Sequence, residues 1–205
     1  IKSSAASDVY KRQREHKYKP NALALSLRTN NTKTIGVILP QIVHYFFSSV
    51  LSGIEDEAEK GGYRVIICQS NENYEKEVKG AQALLEARVC GVLASVAKTT
   101  TIYNHFQELI DSDIPMVFFD RICTGILTDR VVVDDYAGVC SAVEYLIRSG
   151  CRRIAFFGSP SHLAISNNRR MGYEDALRKN GLPVDKELIT VSYTHLRAHE
   201  TDQYL

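Results

Sequence analysis

Short apolar, β-branched runs alternate with longer amphipathic stretches through most of this chain, and that alternation limits its fold more than any other feature. Residues 35–40 (IGVILP) are an apolar run ended by proline, which reads as a buried strand. Residues 44–60 then place Phe47, Val50, Leu51, Ile54 and Ala58 at helical spacing, with Gly61-Gly62 as a C-terminal stop. The unit recurs as strand 63–69 (YRVIICQ) and helix 73–88, in which Val78, Ala81, Leu84 and Leu85 face inward. It recurs again as strand 91–97 (GVLASVA), helix 101–112 and strand 115–120 (PMVFFD). A short strand at 130–134, a helix at 136–149 stopped at Gly150, a strand at 153–158 (RIAFFG) and a helix at 168–180 stopped at Gly181 complete the series. Strands alternating with helices in this way predict an α/β fold, a parallel sheet covered on both faces with right-handed crossovers. The alternation is weakest at 123–129 (CTGILTD), and a hinge between subdomains is expected just after it, near Asp134-Asp135-Tyr136.

Composition narrows the function. A net charge of +1, with 24% charged and 44% hydrophobic residues, lacks the basic excess of a stand-alone nucleic-acid-binding domain. No stretch approaches the ~18 apolar residues that span a membrane. The five cysteines (Cys68, Cys90, Cys123, Cys140, Cys151) show no C-x-x-C pair or metal-ligand spacing and read as small buried hydrophobes in a reducing compartment. No G-x-G-x-x-G follows the first strand, and no P-loop or G-x-S-x-G elbow occurs. Gly158-Ser159-Pro160-Ser161-His162 juxtaposes Ser and His, but neighbours in one loop do not set catalytic geometry, so it reads as a turn beside a cleft. The expectation is a non-enzymatic protein without cofactor or metal.

The two ends break the pattern. Residues 3–13 (SSAASDVYKRQ) and 191–201 (VSYTHLRAHET) show no apolar period, cap or turn signal. Asp8 to Gln13 can be encoded by GAT GTG TAT AAG AGA CAG, whose reverse complement in a shifted frame encodes the peptide that begins at Val191. Both ends therefore resemble translated, inverted copies of one sequencing-adapter element. The expected division is 1–13 adapter-like, 14–189 native and 190–205 adapter-like. An exposed sheet edge after Ile189 is expected to make such a piece unstable or prone to aggregate.

Ahead of the first strand, residues 18–29 (YKPNALALSLRT) lead into the polar linker 30–34. Proline near the start and the Ala/Leu content favour a short helix at about 21–27. Such a helix is marginal alone. It either docks on the core or orders only on DNA, with Leu27 as an apolar wedge and Arg28 and Lys19 at phosphates.

The ordered set Y-x-P-N-A-x-A-x-S-L-R-T, T-x-T-I-G-V-I-x-P and F-F-x-x-V-x-x-G-I-E resembles the lactose-repressor/galactose-repressor (LacI/GalR) family of bacterial transcription regulators. Asp120-Arg121, Val133-Asp134-Asp135 with Gly138, Ser149-Gly150 before Arg153-Ile154-Ala155, and Arg169-x-x-Gly172-Tyr173 extend the resemblance across 14–189. Cys90 and Cys151 depart from it, standing where the family usually has Asp and His.

The resemblance implies a periplasmic-binding-protein-like (type I) parallel-sheet sandwich. It comprises a hinge and linker at 14–34, a nearly complete first subdomain at 35–134 and a truncated second subdomain at 135–189. It implies that Asn21, Ala24, Leu27 and Arg28 belong to a DNA hinge, with Leu27 entering the operator minor groove. It implies an effector between the subdomains, reached by Phe46, Phe47, Asp120, Asp135 and Arg169. Core packing is the alternative for one of the two phenylalanines, and solvated helix caps are the alternative for Asp120, Asp134 and Asp135. The forked guanidinium of Arg169 suits paired hydroxyls or a carboxylate; Arg170 reads as a solvated helix residue. The implied partners of the intact parent are operator DNA, through a helix-turn-helix absent here plus the hinge, a small effector such as a sugar, and a second copy in a homodimer. The implied compartment is the cytoplasm. A secreted sugar-binding protein of a transport system shares the same core and is the alternative.

Overall fold

A computed structural model describes residues 11–12, 15, 32–159 and 162–191. The hinge candidates Asn21, Ala24, Leu27 and Arg28 lie outside the described residues.

The most apolar strand is the structural centre. Strand β1 (Thr34–Leu39) pairs in parallel with β2 (Arg64–Gln69) on one side and β3 (Gly91–Ala94) on the other. Strand β4 (Met116–Phe119) and β5 (Asp129–Val131) extend the sheet in the order β2-β1-β3-β4-β5. Period-two alternation sends Ile38 to one face and Val37 and Leu39 to the other, and each face has its own core. Helix α1 (Tyr45–Lys60) covers the second face with Phe47 and Leu51 against Phe119. Helices α2 (Tyr74–Glu86) and α3 (Asn104–Asp111) cover the first with Leu84, Phe106 and Leu109. Asn73 starts α2 by accepting from Lys76 N at 2.9 Å.

A second unit follows. Helices α4 (Asp135–Arg148) and α5 (Ala164–Lys179) pack on each other and on a two-stranded parallel sheet, β6 (Phe156–Gly158) with β7 (Ile189–Val191). Its core gathers Val143, Ile147, Ile154, Tyr173 and Leu177, and the Tyr173 hydroxyl donates to Ile154 O at 2.8 Å.

Several expectations need correction. The third strand stops at Ala94 rather than residue 97: Ser95 N and Val96 N still donate to Ile38 O and Arg121 O, but Ala97 N turns to Glu77 and Lys98 N to Glu72. The strand expected at 153–158 is ladder-paired only over Phe156–Gly158, the length that β7 matches. The last helix begins at Ala164, not 168, since Leu163 and Ser166 are buried and anchor an extra turn. Strand β7 pairs with β6 as far as Val191. The sheet is not covered evenly on both faces: edge strand β2 leaves Ile66 and Ile67 exposed. The cysteines are not uniformly buried: Cys68, Cys90 and Cys140 are half-buried, Cys151 is exposed and only Cys123 is fully buried.

Candidate functional site

Parallel strands deliver their carboxyl ends to one edge, and the loops that leave β1, β3 and β4 meet there. The first turn of α1 brings two phenylalanines to this edge. Phe47 is 4% exposed, edge-on to Phe119 at 6.4 Å, with the Arg121 guanidinium 5.8 Å above its ring, so it belongs to the core. Phe46 is 51% exposed, with its ring 5.1 Å from that of Phe47, and of the pair it is the one open to the edge.

Asp120 leaves β4 in a left-handed conformation (φ 57°), its amide donating to Val131 O. That backbone turns a mostly buried carboxylate into the edge, 3.8 Å from Arg121 Nε. Burial pushes the Asp120 carboxyl above its ordinary pKa; Arg121 and Arg169 oppose the shift and Asp135 adds to it. The fully buried hydroxyl of Ser95 lies beside this carboxylate yet falls short of hydrogen-bond geometry with any partner among the described residues.

Asp134 and Asp135 divide the labour at the start of α4. Asp134 is the cap, accepting from Ala137 N at 2.9 Å. Asp135, only 10% exposed at its side chain, accepts from Arg169 Nε of α5 at 2.7 Å. Arg170 points elsewhere and pairs with Glu174 one turn on. The structure thus brings Asp120, Asp135 and Arg169 into one electrostatic cluster, with Phe46 on the α1 side of the same edge.

Two carboxylates that sequence reasoning passed over organise the rim. Glu72 accepts from Lys98 N at 2.7 Å and from Arg121 Nη1 at 2.8 Å, tying together the turns after β2, β3 and β4. Glu77 is fully buried and accepts from Ala97 N at 2.6 Å, Thr100 Oγ1 at 2.7 Å and His105 Nε2 at 3.1 Å. Its signal was legible: Glu77, Ala81 and Leu84 share one helical stripe, and a carboxylate on an apolar stripe needs internal donors. His162, read as part of a turn beside the cleft, donates from Nε2 to Lys98 O at 2.6 Å and joins the second unit to the first. A groove lined by Ile114, Met116, Leu127 and Thr128 lies at the opposite, amino-terminal ends of β4 and β5, away from this cluster. No group of three metal-ligating side chains occurs among the described residues.

The chain is similar to known proteins in sequence and in fold. Catabolite control protein A of Priestia megaterium is 32% identical over 95% of this chain, which spans 59% of that protein. The ribose operon repressor of Bacillus subtilis is 33% identical over 79% of this chain, which spans 48% of it. The crystal structure of a periplasmic binding protein/LacI transcriptional regulator from Alkaliphilus metalliredigens, complexed with D-xylulofuranose, superposes with a TM-score of 0.64 at 29% identity. That match covers 78% of this chain and 55% of the other. The chain therefore spans about half to three-fifths of the relatives it matches. Residues 32–201 fit the family model described as periplasmic binding proteins and sugar binding domain of the LacI family, and the chain belongs to that family.

Proposed function

We propose that this chain is the effector-binding core of a longer bacterial transcription regulator, a cytoplasmic homodimer that grips operator DNA according to whether a small sugar-like metabolite is bound. The observation that carries the reading is the convergence of Asp120, Asp135 and Arg169 at the carboxyl ends of the strands, between the two units. Acceptors and a forked donor set this close together suit a ligand dense in hydroxyls. The neighbour that holds D-xylulofuranose supports the ligand class, and the relatives named as a control protein and an operon repressor support regulation over transport. They also support a non-catalytic role.

Effector binding across the two units shifts their relative orientation. That shift reaches the DNA through the segment containing Asn21, Ala24, Leu27 and Arg28, in the role the resemblance gives it. To switch operator occupancy fully, the effector must favour one state by about 5.5 kcal/mol. The test is a thermal-shift screen of the longer protein against sugars, followed by a mobility-shift assay on upstream DNA with the best ligand. The expected result is a ligand-dependent rise in Tm and a ligand-dependent change in DNA affinity. A Tm rise with no DNA retained under any condition returns the protein to the transport alternative.

A further inference from the structure

The charge pattern of the cluster points to a property of its ligand. We infer that the effector is an electrically neutral polyol, and that Asp135 is the residue that excludes phosphorylated or carboxylated versions of it. The inference rests on the effector-site reading above and decides between the hydroxyls and the carboxylate that Arg169 could clamp.

The three cations around the cluster are each already committed. Arg169 Nε lies 2.7 Å from Asp135, Arg121 Nη1 lies 2.8 Å from Glu72, and Lys98 Nζ lies 3.9 Å from Glu72. Facing them are the three carboxylates Asp120, Asp135 and Glu72, so among the described residues the cluster holds no surplus positive charge for an anion. The pairs are also sheltered: the side chains of Arg121 and Asp135 are 13% and 10% exposed, so solvent screens them poorly. An anionic group that reached the Nη groups of Arg169 would find that charge already shared with Asp135 through Nε, and would face the carboxylates of Asp135 and Asp120 at close quarters.

A neutral hydroxyl meets no such obstacle. It donates to a free oxygen of Asp120 or Asp135 and accepts from the Nη groups of Arg169, which make no hydrogen bond among the described residues. Half of the Arg169 side chain is exposed, so these donors are open to an arriving ligand. Neighbouring hydroxyls on a pyranose or furanose ring supply this alternation of donor and acceptor, whereas a fully ionised phosphate supplies acceptors alone.

The test is calorimetric titration of the longer protein with D-ribose, D-xylulose and D-glucose and with the phosphate ester of each. Repeating it with Asp135→Asn asks whether that carboxylate sets the preference. The expected result is that the neutral sugar that binds best does so about a hundredfold or more tightly than its ester. In Asp135→Asn the neutral affinity falls roughly tenfold while the ester gains, because Arg169 is released. Tighter binding of an ester by the unmutated protein overturns the inference and leaves the effector-site reading standing. Binding of no sugar and no ester overturns both. If Asp135→Asn does not fold, the ratio measured on the unmutated protein still decides the matter.

Discussion

Asp120 combines two costs at one position, a left-handed backbone and a carboxylate held largely out of water. Burial raises its folded-state pKa above the ordinary aspartate value of about 3.9. A raised carboxyl pKa means that the folded state holds its proton more tightly than the unfolded state. The stability linked to that proton is fully present below the unfolded pKa and is lost as pH rises through the folded pKa. Asp120→Asn removes the titration and keeps a side chain that tolerates the left-handed region. The variant is expected to melt at a higher temperature than the unmutated chain at pH 7, with the gap closing toward pH 4. Circular dichroism melts across that range check it; an equal or lower Tm at pH 7 would mean that the ionised carboxylate is a net stabiliser. Asp120, Asp135 and Arg169 share one cluster; the family resemblance singles out Arg169, while placement after strands alone leaves solvated caps open for the two carboxylates. Glu72 and Lys98 were not legible in the sequence, since their roles depend on loops 26 residues apart meeting in space.

At the scale of elements, glycines that end helices were readable and glycines that let helices touch were only partly so. Gly150 and Gly181 adopt positive φ (94° and 69°) past the ends of α4 and α5, as stop signals should. Gly172 works differently. A Cβ there would sit 2.5 Å from the Tyr136 carbonyl oxygen, so its bare backbone sets how closely α5 approaches α4. Gly138, on the facing helix, has nothing within 4 Å of a built Cβ. Gly172→Ala must push backbone away and is expected to cost about 1–3 kcal/mol. Gly138→Ala is expected to gain up to about 1 kcal/mol through helix propensity alone. Urea unfolding of the two variants should move the midpoint in opposite directions, and a loss from both would place Gly138 in a contact the fold does not show. Element order and type were readable for the same reason, because periodicity is local. Ends set by tertiary bonds, such as the early stop of β3 and the early start of α5, were not.

The molecule as a whole has two sheet-based units of unequal strength. Strand β1 is flanked on both sides and covered on both faces, with Val37 and Ile38 at 0% exposure. Among the described residues strand β6 has a single three-residue partner, and Phe157 is 65% exposed. Two-stranded sheets are marginal without packing, so the second unit leans on the α4–α5 contact and on the His162–Lys98 bridge for its stability. Opening it therefore costs less than opening the five-stranded sheet. Native-state hydrogen exchange on the chain should show the amides of Val37 and Ile38 exchanging only through global unfolding. The amides of Phe156–Gly158 should exchange roughly a hundredfold faster through local opening. Uniform protection across both sheets would instead show that they open as one cooperative unit. The same hierarchy bears on sensing, because a ligand that joins Asp120 of the first unit to Asp135 and Arg169 of the second would lend the weaker unit part of the stronger one's stability. Protection of β6 should then rise on ligand binding by more than protection of β1.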